Sequence, residues 1–132
     1  GAYKSKTPIY AESGGFMYLG STIEGKSMVN ILSNNSHLTN RLQDFGYIKL
    51  TANKDNLLCK KGDLINGHEF HYTKSDFAGH DFTAIKKSTG KERFCIVAKD
   101  NLFAGYPHLH LWSNINFAKG FIEKCVEYRE KL

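Results

Sequence analysis

The sequence predicts an α/β fold: a strand, tight turn and helix at the start, a mostly antiparallel β middle, and a closing amphipathic helix. Three observations carry this. An apolar run, Pro8-Ile9-Tyr10-Ala11-Glu12, is broken by Ser13-Gly14-Gly15 and followed by apolar residues at helical spacing. Short β-type runs separated by turn residues then fill the centre. Finally, Phe117, Phe121 and Cys125 recur at i, i+4 and i+8. The layout suggests one lobe of an α/β sandwich.

Taken in order, Pro8 suits the first position of a short strand, since it lacks an N–H for the ladder. Phe16, Met17, Tyr18 and Leu19, followed by Ile23, predict the first helix. The stretch from Gly25 to Thr39 is polar and rich in Ser and Asn, which predicts loop with little regular structure. After Leu42-Gln43-Asp44-Phe45-Gly46 the pattern turns to β. Tyr47, Ile48 and Leu50 form one strand and Leu57-Leu58-Cys59 another, with Asn53-Lys54-Asp55-Asn56 as the hairpin turn between them. Three further strands are expected at Glu69 to Thr73, Phe82 to Ile85 and Phe94 to Ala98, with a turn at Ser88-Thr89-Gly90-Lys91. In the last helix Ala118, Ile122 and Val126 widen the apolar stripe, and Ser113 or Asn114 can cap its start.

The 132 residues suit a single domain, and no apolar run approaches the ~20 residues needed to cross a bilayer. The N-terminus has neither an initiator Met nor a signal-peptide core, so Gly1-Ala2 reads as a processed end, an engineered remnant or a cut within a longer protein. Net charge is +5, but the lysines are scattered and no nucleic-acid motif is present, so the charge predicts a solvated surface and no nucleic-acid or membrane partner. Cys59, Cys95 and Cys125 are odd in number and widely spaced, which fits neither a zinc knuckle nor a disulfide framework. Cys95 and Cys125 read as small buried hydrophobes. A reducing, cytoplasmic setting is expected.

The turn at Ser13 carries the first chemical signal. A residue between a strand and a helix on a sharp turn is pushed out at the sheet edge, and small neighbours such as Gly14 and Gly15 allow the strained backbone. This is the geometry of a nucleophile elbow. Ser-Gly-Gly is also a common helix cap and turn, and residue chemistry alone favours that reading.

Four motifs change the balance. Tyr10-Ala11-Glu12-Ser13-Gly14-Gly15-Phe16-Met17-Tyr18-Leu19 resembles the nucleophile segment of the cobyrinate a,c-diamide synthase family, which reads Tyr-Ala-Glu-Cys-Gly-Gly before a Met-Tyr-Leu helix. Leu42-Gln43-Asp44-Phe45-Gly46-Tyr47, Gly67-His68-Glu69-Phe70-His71-Tyr72-Thr73 and Ala104-Gly105-Tyr106-Pro107-His108-Leu109-His110-Leu111 resemble three later motifs of that family, in the same order. Departures are Ser13 for Cys, Gly105 for Ser, Thr73 for Ser and Leu111 for Phe. Only the first changes the chemistry.

The resemblance implies part of a class I glutamine amidotransferase-like three-layer sandwich, with residues 1–132 as a single partial domain truncated at its N-terminus. It implies a glutaminase that supplies ammonia for ATP-dependent diamidation of cobyrinic acid. The nucleophile position falls on Ser13 and the base on His108. His110 falls where the class I pattern has an orienting Glu, which an imidazole cannot replace, so Glu12 and Glu69 are candidates for the missing carboxylate. Gly14 would offer its N–H to the oxyanion, and Gly15, His68, His71 and Tyr72 would line the glutamine site. A second oxyanion donor would lie in a segment preceding Gly1. No cofactor is implied for this chain. ATP and magnesium belong to the synthetase domain, the implied partner, and only that domain would read the tetrapyrrole. The nickel sirohydrochlorin a,c-diamide synthases share these motifs, so the tetrapyrrole stays open.

Serine at the elbow predicts a chain without glutaminase activity, because a hydroxyl ionises far less readily than a thiol. It fits an engineered exchange, a natural inactive homologue or a natural serine variant. Two other classes remain: a binding or regulatory module of the same fold, and a histidine-rich metal-binding β protein. His68-Glu69-Phe70-His71 is one residue short of the zinc motif His-Glu-x-x-His, and on a strand positions i and i+3 face opposite sides. An open edge on the parallel sheet predicts association, with a homodimer expected for the isolated piece. A clean monomer on sedimentation would count against it.

Overall fold

The structure, a computed structural model, describes all 132 residues. Strand β1 (Ile9–Glu12) leads through Ser13 into α1 (Gly14–Tyr18), which is shorter than expected: Ile23 lies instead in β2 (Thr22–Ile23). The stretch predicted as loop holds β3 (Lys26–Ser27) and β4 (Asn35–Leu38). Each pairs with β2, and β4 also pairs with a later strand, through hydrogen bonds between backbone groups, which polar Ser and Asn side chains do not forbid and hydrophobic periodicity does not reveal.

Strand β5 (Asp44–Ala52) pairs antiparallel with β6 (Leu64–His71), from Asp44 opposite His71 to Thr51 opposite Leu64. The expected strand at Leu57-Leu58-Cys59 is a loop. Its leucines are buried, but Asn56 Oδ1 accepts from the Leu58 and Cys59 amides, turning the backbone away from a ladder. After β6 come β7 (Thr73–Ser75), β8 (Phe82–Lys86) and β9 (Glu92–Cys95). The single strand expected from Phe94 to Ala98 is two, because Ile96 sits at φ 67 and breaks the pleat before β10 (Val97–Lys99).

β11 (Leu102–Gly105) had no sequence prediction; it is buried throughout and so lacks alternation. β12 (His108–Leu109) and a 3-10 turn (Leu111–Ser113) precede α2 (Ile115–Glu130). Asn114 caps α2 by accepting from the Asn116 amide. Of the predicted stripe, Phe117 is buried and Phe121 packs beside it, while Ile122 and Val126 face solvent and Cys125 is half-buried.

These elements form three sheets. A five-stranded antiparallel sheet runs β12-β6-β5-β8-β9, a three-stranded one β1-β11-β10, and a four-stranded one β3-β2-β4-β7. On β5 the alternation is clean: Ile48, Leu50 and Ala52 point inward, while Phe45, Tyr47 and Lys49 are exposed. The inward residues meet Phe82, Phe103 and Phe117 in the main core. A second core of Phe16, Leu19, Leu32, Leu102 and Tyr106 lies beneath α1. In the three-stranded sheet β1 is parallel to β11, with Glu12 opposite Gly105, and β1 keeps a free outer edge. That register sets the site. No helix is long and apolar enough to cross a membrane.

Candidate active site

Ser13 occupies φ 50, ψ −109, a region L-residues rarely adopt. The helix-cap reading fails here, because the Ser13 side chain makes no capping hydrogen bond. The turn is held by its backbone instead: the Ser13 amide donates to Gly105 O at 2.8 Å and Ser13 O accepts from the Met17 amide at 3.1 Å. Strain without a capping return is the signature of an elbow whose side chain has other uses. Gly14 and Gly15 are exposed, so the ground in front of Ser13 is open. Neither of the two largest clefts contains Ser13 or His108.

Because Glu12 pairs with Gly105, the residues just after Gly105 pass close to the elbow. His108 Nδ1 lies 3.1 Å from Glu12 Oε1, and the Leu109 amide donates to Glu12 Oε2 at 2.9 Å. The Tyr10 hydroxyl also donates to Glu12 Oε2. An ionised carboxylate can only accept, so in the neutral imidazole this contact selects the tautomer with the proton on Nδ1 and the lone pair on Nε2. No hydrogen bond joins Ser13 Oγ to His108, a contact that often forms only around a bound substrate. On its other side His108 stacks against His68, with ring centres 5.1 Å apart. Gly67 permits this approach, since a Cβ there would meet His108 O at 2.7 Å.

The second carboxylate candidate lies elsewhere. Glu69 is 2% exposed and faces Arg93 Nη2 at 2.5 Å and His71 Nε2 at 3.3 Å, with Oε1 left unpaired. Burial alone would raise its pKa, but hydrogen bonds and charge from His71 and Arg93 hold it below the usual carboxylate range. Burial opposes the charge on His71, yet Glu69, the Thr73 carbonyl and Asp44 together raise its pKa. Both its ring nitrogens face acceptors, which suits an imidazolium. Asp44, Glu69 and His71 would place three ligand atoms within 4.8 Å of one another, but Arg93 already supplies the cation there.

Other expected residues scatter. His110 is exposed, sits at the start of the 3-10 turn rather than on a strand with His108, and gives His108 no hydrogen bond. His68 faces outward and His71 inward, on opposite sides of β6 as its period requires. Tyr72 is 47% exposed and meets Phe70 edge-on. Of the proposed glutamine-site residues, His68 alone touches His108. Sequence reasoning missed Tyr10 and Arg93. Tyr10 stands two residues before Glu12 on a strand, so its place on the same face could have been read from parity; Arg93 gave no signal. Burial lifts the Cys95 thiol to about 12 and the Cys59 thiol to about 11, which leaves neither as a ready nucleophile.

A strained strand-to-helix turn beside a carboxylate-held histidine, on an α/β scaffold closed by a helix, defines a protein of the class I glutamine amidotransferase-like fold. Residues 1–115 match the CobB/CobQ-like glutamine amidotransferase domain, and the chain belongs to that family. It is 35% identical over 98% of its length to a cobyrinate a,c-diamide synthase from Caldanaerobacter subterraneus subsp. tengcongensis, covering 30% of that protein. It is 38% identical to the one from Clostridium acetobutylicum, over 88% of this chain and 28% of that protein. With the Listeria monocytogenes serovar 1/2a protein of the same name the figures are 40%, 86% and 27%. The chain therefore spans less than a third of the length of these curated relatives.

Proposed function

We propose that this chain is the glutaminase-type domain of a protein like the cobyrinate a,c-diamide synthases, with Ser13 at the nucleophile position, His108 as base and Glu12 as the carboxylate that orients it. The observation that carries this reading is the Glu12–His108 hydrogen bond directly behind the strained elbow. In the corresponding thiol chemistry, sulfur attacks the side-chain amide carbon of glutamine. His108 passes the proton to the departing ammonia, and water then releases glutamate. The Gly14 N–H, which follows the nucleophile, would receive the oxyanion. The ammonia would go to a synthetase domain that uses ATP and magnesium to amidate a tetrapyrrole carboxylate; that domain is the proposed partner, and only it would touch the tetrapyrrole.

With serine in place, the reading predicts that glutamine is not turned over at a measurable rate. His108 would have to deprotonate a hydroxyl, which ionises far less readily than the thiol this chemistry uses. A domain that holds glutamine without hydrolysing it is the second reading, and Ser13 is the observation that favours it. Glutamate release, followed alongside glutamine titration calorimetry, decides between them. Neither release nor binding is expected to match an active domain for the chain as it stands. The Ser13→Cys chain should be labelled at position 13 by a glutamine-like diazoketone, whereas the Ser13→Cys, His108→Ala chain should not. Turnover by the unaltered chain would overturn the inactivity. Tight binding without turnover would favour the second reading.

A further inference from the structure

We infer that Tyr10 is a positioning residue for this site: through Glu12 it fixes which ring nitrogen of His108 is presented to Ser13. The inference rests on the reading of Ser13, His108 and Glu12 given above.

Tyr10 and Glu12 are two residues apart on β1 and share a face of the strand. The Tyr10 ring is clamped: it lies parallel to Phe103 at 5.4 Å and meets Phe121 of α2 edge-on at 6.1 Å. Its hydroxyl is thereby aimed at Glu12 Oε2. The same oxygen receives the Leu109 amide, while Oε1 faces His108 Nδ1. The two donors on Oε2 differ in kind. Leu109 adjoins His108 on β12, so its amide ties the carboxylate to that strand and to β6, not to the core beneath β1. Tyr10 reaches Glu12 from the core and anchors it to β11 and α2. Without the hydroxyl, Oε2 keeps only the Leu109 amide, the Glu12 carboxylate is free to turn Oε1 away from Nδ1, and the imidazole loses its preference for the Nδ1–H form. Burial, and then the bond to Glu12, raise the Tyr10 pKa, so the phenol remains a neutral donor.

Tyr10→Phe keeps both ring contacts and removes only the hydroxyl. Nitrogen NMR of the unaltered chain should find His108 in the single Nδ1–H form, and of the Tyr10→Phe chain a mixture of both tautomers. This spectrum is recorded well below the unfolding midpoint, so a modest loss of stability does not obscure it. In a Ser13→Cys background, alkylation of the introduced thiol by iodoacetamide at neutral pH should slow about threefold to tenfold on Tyr10→Phe, the range one hydrogen bond supports. An unchanged tautomer and an unchanged alkylation rate would overturn the inference. His108→Ala in the same background separates the two levels. If it leaves alkylation unchanged, the reading of the site itself fails. If it slows alkylation while Tyr10→Phe does not, only the role of Tyr10 is lost.

Discussion

At Ser13 the backbone is held at φ 50, ψ −109 by the Gly105 carbonyl, and the side chain makes no hydrogen bond in return. Holding a non-glycine residue there costs about 1–3 kcal/mol. Glycine tolerates the conformation but loses about 0.5–1 kcal/mol to chain entropy. Ser13→Gly is therefore expected to stabilise the protein by about 1 kcal/mol, while Ser13→Ala, which keeps the strain, should be nearly neutral. Urea unfolding of the three chains checks this; equal stability for glycine and serine would mean the turn is not strained. The elbow was legible in the sequence only through its companion motifs, because Ser-Gly-Gly alone describes a cap equally well. Glu12 was legible as one of two carboxylates. What selected it was the pairing of β1 with β11, a contact between residues more than ninety positions apart that no local pattern encodes.

Among the elements, α2 sits closest to the loop that sequence periodicity took for a strand. Gly120 lies over Leu58, where an added Cβ would stand 2.2 Å from the Leu58 carbonyl oxygen. Two effects compete. Alanine is the better helix former by about 1 kcal/mol, but the obstacle is backbone held by Asn56, which cannot swing aside as a side chain would. The clash should win, so Gly120→Ala is expected to destabilise by about 1–3 kcal/mol despite its higher helix propensity. A rise in the thermal midpoint would show that α2 can lift from the loop at little cost. The same region explains where element prediction ran out. Leu57 and Leu58 are buried, but an apolar run does not distinguish a strand from a loop pressed under a helix. The helix itself, its Asn114 cap and strands β5 and β8 were readable because one face of each meets the core, whereas the strand expected from Glu69 to Thr73 caught only the end of β6 and ran on into β7. β11, buried on both sides, and the small Ser- and Asn-rich sheet carry no such contrast.

Across the whole molecule, a polar network joins the three sheets. In the four-stranded sheet the Ser36 hydroxyl pairs with that of Ser75, which reaches the Tyr106 hydroxyl; Tyr106 follows β11, and its ring stacks on His71 at 3.9 Å. His71 then meets Glu69, which pairs with Arg93 from β9. Stability should follow the charge of this cluster. Glu69 has a lowered pKa, so its contribution is complete above the ordinary value of 4.5 and is lost as pH falls through the lower folded value. His71 has a raised pKa, so its contribution is complete below 6.5 and is lost as pH rises through the higher folded value. Both act together between those two ordinary values, and the network should be strongest there. Glu69→Gln removes the first effect and weakens the second, because Glu69 is the leading hydrogen-bond partner that raises His71. It should also lower stability by on the order of 2–3 kcal/mol. This is less than a fully buried broken pair would cost, since the Arg93 side chain stays 34% exposed and keeps Asp44 at 3.9 Å. Denaturant unfolding at a series of pH values should give a flatter profile for Glu69→Gln at both ends. A profile that keeps its shape and merely shifts downward would mean that the cluster contributes packing, and that the pH dependence arises elsewhere.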